Sequence, residues 1–167
     1  MIKDKGLAFA IEKVYKQCSF KLTDFEEAKE SKEYDACTFL LNDKAVIYRK
    51  AKITPTKIGQ FVSIWKRNEL GITAPHHAND NFDLMIISVN DGNFFGQFIF
   101  SKKALFENNI ISSAYKEGKQ GFRVYPLWDI AVNNQAIKTQ KWQSTYFVDF
   151  SEYNNIDLAK VQSLLNA

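Results

Sequence analysis

Histidine, cysteine, proline and glycine are all scarce in this chain: 2, 2, 3 and 7 among 167 residues. Each shortage closes a class of function. Two cysteines, Cys18 and Cys37, cannot build a disulfide framework, and no CxxC spacing offers a metal knot. Both sit in apolar stretches and read as small core residues. The only histidines, His76 and His77, are adjacent in a loop, so their side chains diverge and a serine or cysteine triad has no free base. No GxxxxGK[ST] loop, GxGxxG turn, GxSxG elbow or HExxH pair is present. The longest apolar runs, such as Leu84–Ile87, are strand-length and far short of a membrane span. Lys3, Asp4 and Lys5 lead into an amphipathic pattern rather than the apolar core of a signal peptide. The expectation is one cytoplasmic domain over residues 1–167, with no membrane association and no bound cofactor or metal.

What the chain does have is an uneven distribution of charge. The total is only +3, from 22 basic and 19 acidic residues. Yet residues 44–67 hold Lys44, Arg49, Lys50, Lys52, Lys57, Lys66 and Arg67 with no acid among them, whereas residues 23–35 hold six acids. Clustered cations on one surface attract polyanions more strongly than a small net charge suggests.

Apolar periodicity places the elements. Leu7, Ile11, Val14, Tyr15 and Cys18 recur at helical spacing and predict a helix over 5–18. Thr23 or Asp24 can cap a short helix to Lys32, the acids suiting its positive end. Residues 36–41 and 45–53 read as two strands joined at Asn42-Asp43, which tolerate the positive φ of a tight hairpin. Thr54-Pro55 marks a helix start, and Ile58, Phe61, Val62 and Trp65 extend it to Arg67. A second hairpin spans 82–89 and 94–100 around Asn90-Asp91-Gly92-Asn93. Ser101 caps a short helix, residues 122–125 form a strand, residues 134–147 a helix, and Asn155 caps the last one. The order predicts a mixed α/β fold, a central mixed β-sheet flanked by helices.

The first hairpin carries the chemical signal. With a two-residue turn, paired positions bring Asp35 opposite Lys50 at the open end. Lys50 and Lys52 then share a face, because side chains alternate along a strand. An acid facing x-Ala-Lys on its partner strand is the layout of P-D…(D/E)-x-K nucleases, where two carboxylates hold a divalent cation and the lysine stabilises charge on phosphate. Here Asp35 can fill the first acidic place and Lys52 the lysine place. Lys50 stands where the second acid belongs, and an ammonium repels Mg²⁺ instead of coordinating it.

Five ordered segments also resemble the MepB family: Tyr34–Cys37, Tyr48–Lys52, Thr54–Phe61, Phe95–Phe100 and Gly121–Pro126. The family takes its name from a bacterial multidrug-efflux locus, and the resemblance implies a restriction-endonuclease-like core. Some members carry Glu-Ala-Lys where this chain has Lys50-Ala51-Lys52, a departure that puts catalysis in doubt. The expected function is therefore binding of DNA or RNA, largely independent of sequence, on an endonuclease-like scaffold with vestigial positions Asp35, Lys50 and Lys52. Expected contacts are Lys50, Lys52, Lys57, Gln60, Lys66 and Arg67, with Lys119 and Arg123 joined by Lys116 in a second cluster near Tyr125 and Trp128. The alternatives are an active Mg²⁺-dependent nuclease using Asp35, Lys52 and another acid such as Glu33, and an interaction module presenting the acidic segment 23–35.

Overall fold

The computed structural model describes residues 2–167. Helix α1 begins at Lys5–Ala10, capped by the Asp4 carboxylate, which accepts from the Gly6 and Leu7 amides. It widens into a π turn over Ile11–Tyr15, tightens into a 3₁₀ turn over Lys16–Cys18, and stops where Ser19 turns left-handed at φ 63°. The expected helix over 5–18 is present, its buried side led by Leu7, Val14, Tyr15 and Cys18.

The predicted second helix is absent. Leu22–Glu27 is a strand, β1, with an irregular step between Thr23 and Glu26 where Asp24 takes φ 54°. Its acids face solvent on the edge of a sheet, where charge blocks pairing with another chain as effectively as it suits a helix start. Strands β2 (Cys37–Leu41) and β3 (Lys44–Lys50) form the expected hairpin, with Leu41 opposite Lys44 and Cys37 opposite Tyr48. Asn42, at φ 54°, makes the turn, and its side chain ties it to the end of α1 through Lys21 and Ser19.

The helix expected over 54–67 is also replaced. After β4 (Lys52–Ile53), residues 54–59 form a loop leading to β5 (Gln60–Ser63) and β6 (Lys66–Arg67). Val62 and Ile64 are fully buried while Phe61 is only partly covered, a two-residue period that pairing across strands favours over the helical spacing. Strand β7 (Thr73–Ala74) pairs with β6. The second hairpin, β8 (Leu84–Asp91) and β9 (Phe94–Ser101), runs straight into α2 (Lys102–Glu107), capped by Ser101 as expected. Strand β10 (Gly121–Val124) and helix α3 (Asn134–Ser144) follow. The helix expected over 134–147 stops at Ser144, and β11 (Phe147–Asp149), which the sequence reading does not anticipate, follows it. The last helix, α4 (Leu158–Leu165), is capped by Asp157 rather than Asn155.

The fold is mixed α/β. Its main sheet has the order β1-β2-β3-β8-β9-β11, with β3 and β8 parallel and the other neighbours antiparallel. Helices α1 and α4 cover one face, packing Leu7, Tyr15, Val161 and Leu165 on Phe39, Tyr48, Ile86 and Ile99. The other face carries Met85, Ile87, Phe98 and Phe100 against Val62, Phe122 and Val124 of a smaller sheet, ordered β10-β5-β4. Burial on both sides explains why β8 reads as a nearly unbroken apolar run. No helix among the described residues is long and apolar enough to cross a membrane.

Candidate functional site

At the open end of the first hairpin, β2–β3 pairing stops at Cys37 and Tyr48. Asp35 lies just beyond it, after a 3₁₀ turn over Lys32–Tyr34, in a left-handed conformation at φ 48°. It is therefore not a ladder partner of Lys50, as the sequence pairing predicts. Both lysines nonetheless act on it: partial burial and the charge of Asp4 push the Asp35 carboxyl up, while Lys50 and Lys52 pull it down. The chain changes sheets at Ala51, so Lys50 and Lys52 do not occupy one continuous strand face. Lys50 Nζ sits 3.7 Å from Asp4 Oδ1, and Lys52 Nζ lies 5.1 Å from the centre of the Tyr34 ring. Glu33, the acid offered from sequence to complete a metal site, is exposed on the 3₁₀ turn that precedes Asp35.

Asp4 is the residue that sequence reasoning missed. Its position before an apolar helical repeat marks a cap, but nothing in the linear order links it to the hairpin. Only 7 % exposed, it accepts from the Tyr48 hydroxyl, the two capping amides and, at longer range, Lys50. A buried chain of donors leads to it. Tyr15 donates to Gln97 Oε1, Gln97 Nε2 donates to Ser88 Oγ at 3.0 Å, and the Ser88 and Tyr48 hydroxyls lie 2.6 Å apart. With Tyr48 donating to Asp4, Ser88 must donate to Tyr48, and every proton in the chain points toward the carboxylate. These residues do not suit a divalent cation: Asp4 is fully engaged, Lys50 supplies the opposing charge, and no group of three or more His, Cys, Asp or Glu side chains among the described residues is arranged to hold a metal ion.

A second site lies on the smaller sheet. Its register sets Lys52 opposite Phe61 and Phe61 opposite Arg123, so these three residues share a face. Strand spacing puts the backbones of Lys52 and Arg123 roughly 10 Å apart. Arg123 is held in place, donating to Ile58 O at 3.3 Å and to Thr54 Oγ1. Beside it opens a cleft of about 550 Å³ bounded by the 54–59 loop, β10 and α3. Lys57, Lys119 and Arg123 line it, with no acidic residue in the lining. Tyr125 and Trp142 supply aromatic surface, and Asn133, the cap of α3, brings in that helix's positive end.

The other expected contacts are engaged within the fold. Lys66 and Arg67 lie on β6 instead of ending a helix; Lys66 pairs with Asp80 at 2.7 Å and Arg67 grips both carboxylate oxygens of Glu30. Gln60 is 1 % exposed, with Nε2 donating to Asn90 O and Oε1 buried without a partner, so burial keeps it from a surface ligand. Trp128 stacks on Phe94 and meets the edge of Phe147, so Trp142 takes the aromatic place expected of it. Lys116 is exposed but does not line the cleft. Cys18 and Cys37 are free and buried, and burial pushes the Cys37 thiol up to about 12, in keeping with a packing role.

The molecule is thus a mixed α/β protein with an ion pair, Lys50–Asp4, at the hairpin mouth and a separate basic cleft. It belongs to the MepB-like family, which matches residues 28–149. A solved crystal structure of MepB is 34% identical, with a TM-score of 0.77, and the match covers 91% of this chain and 99% of that one. A bacterial homing endonuclease aligns at 11% identity and a TM-score of 0.42, over 76% of this chain and 78% of its own. No curated protein matches the chain.

Proposed function

We propose that this protein binds nucleic acid through its phosphates, without reading base sequence, on an endonuclease-like scaffold that does not cut. The observation that carries the proposal is the convergence of Lys57, Lys119 and Arg123 from separate segments on one cleft without a carboxylate in its lining. Lys52, on the same sheet face as Arg123, extends the positive surface toward the hairpin. At the hairpin mouth the Lys50–Asp4 pair occupies the position where a metal-dependent nuclease needs carboxylates free to bind an ion. Lys66 and Arg67 drop out of the interface because both are ion-paired within the fold, and Gln60 because it is buried.

Polarisation of labelled single-stranded DNA, duplex DNA and RNA across a salt series tests this. Four phosphate contacts predict that log K falls with log salt at a slope of roughly −3. Absence of binding at low salt, or affinity indifferent to salt, would sink the proposal. Scoring the same tubes with Mg²⁺ and Mn²⁺ tests the nuclease alternative: cleavage abolished by Asp35→Ala would establish catalysis, whereas intact substrate fits the Lys50–Asp4 arrangement.

A further inference from the structure

We infer that the basic cleft holds one phosphorylated nucleotide, presented by the end of a single strand or as a free mononucleotide, rather than the backbone of a duplex. The inference rests on the phosphate-binding reading above and adds which part of the ligand enters.

Shape is the first reason. A duplex presents its phosphates along a convex ridge with the bases stacked inside, and a shallow basic track suffices to bind it. This site is instead a concavity of about 550 Å³, in the size class of pockets that enclose discrete small molecules.

Its chemistry is two-sided. Lys57, Lys119 and Arg123 supply charge for a phosphate, and Arg123 is oriented before any ligand arrives. Its guanidinium carries five N–H donors, of which two are spent on Thr54 and Ile58, so three remain for an anion. The α3 N-terminus adds to this charge: Asn133 caps the Ala136 amide, while the amides of Asn134 and Gln135 precede the first intrahelical bonds. A terminal phosphate monoester carries more charge than an internal diester and gains more from such a cluster.

The remaining lining suits a base. Tyr125 and Trp142 offer aromatic surface, and Thr139 offers a hydroxyl on the same α3 face as Trp142. An unpaired base can stack on such rings irrespective of its identity, whereas a paired base cannot reach them. Phosphate contacts alone would require none of this surface.

The test uses the full chain and five probes: one oligonucleotide with a 5′-phosphate, the same strand with a 3′-phosphate, the same with hydroxyl ends, its unphosphorylated blunt duplex, and a nucleoside monophosphate as competitor. The expected result is at least ten-fold tighter binding of a phosphorylated strand than of the hydroxyl strand or the duplex, with displacement by the monophosphate. Lys119, whose side chain makes no hydrogen bond or ion pair among the described residues, is changed in Lys119→Ala. This variant should erase the end preference while keeping the parent circular dichroism, and Lys52→Ala should weaken all strands alike. Equal affinity for phosphorylated, hydroxyl and duplex probes would overturn the inference while leaving salt-dependent nucleic-acid binding standing. Failure of every probe at low salt would overturn both. Binding of the monophosphate with no strand bound would support the cleft and reject a polymer as its ligand.

Discussion

His76 shows how one side chain can make the fold sensitive to pH. Its Nδ1 lies 3.5 Å from Asp80, its Nε2 is buried without a partner, and its ring meets Phe82 edge to face. Burial pushes its pKa down to about 4, reinforced by the Arg49 and Lys66 charges and opposed by Asp80. The folded state therefore refuses a proton that the unfolded chain accepts near 6.5. Stability is fully present above that value and falls as pH drops toward 4, by roughly 3 kcal/mol if the group acts alone. Urea unfolding at pH 7 and pH 4.5 should show the loss, and His76→Asn should flatten the slope. A second residue-scale expectation concerns Tyr48→Phe, which removes the donor to Asp4 and the acceptor for Ser88. The cost should be about 1–3 kcal/mol in chemical denaturation. A neutral result would mean that the buried chain re-forms around the missing oxygen.

Among the elements, the 54–59 loop is pinned at its end by Gly59. Gly59 takes φ 83°, and a Cβ there would lie 2.7 Å from the Tyr125 ring and 2.9 Å from the Val124 carbonyl. Gly59→Ala should cost about 1–3 kcal/mol and disturb the cleft, detectable as a lower melting temperature with weakened ligand binding. The same region marks where the sequence was hard to read. Thr54-Pro55 and the spacing of Ile58, Phe61, Val62 and Trp65 are sound helix signals. What defeats them is pairing with β10, which lies some sixty residues away in the chain and supplies hydrogen bonds that local spacing cannot anticipate. The acids of β1 misled for the opposite reason, since an exposed edge strand and a helix start make the same local demand. The hairpins were legible because turn chemistry at Asn42-Asp43 and Asn90–Asn93 is local. Of the candidate site, Lys57, Lys119 and Arg123 could be named in advance as cations. Their shared cleft, Trp142 within it, and Asp4 beneath the hairpin depend on long-range packing.

At the scale of the molecule, both cores share one sheet: Tyr48 and Ile86 face the α1–α4 side, while Ile47 and Ile87, their neighbours in sequence, face the other. Melting one core therefore exposes strands that the other needs. Of the three tryptophans, Trp128 and Trp142 pack against the second core alone and Trp65 lies just after β5 of the smaller sheet, so tryptophan fluorescence reports that side, whereas far-UV circular dichroism reports the whole chain. The two signals should trace a single coincident thermal transition. An earlier fluorescence change would show that the smaller sheet opens by itself.

The parallel joining of β3 to β8 also sets an order in time. Each hairpin can close within microseconds from neighbouring residues, but laying one beside the other must wait for residues 51–83 to loop back. That crossover carries the Lys57 loop, and the cleft's remaining walls arrive only with β10 and α3. A chain emerging from the ribosome thus displays its basic segment 44–67 well before it owns a pocket. The cleft is thus completed late in synthesis, present only in chains that have finished folding.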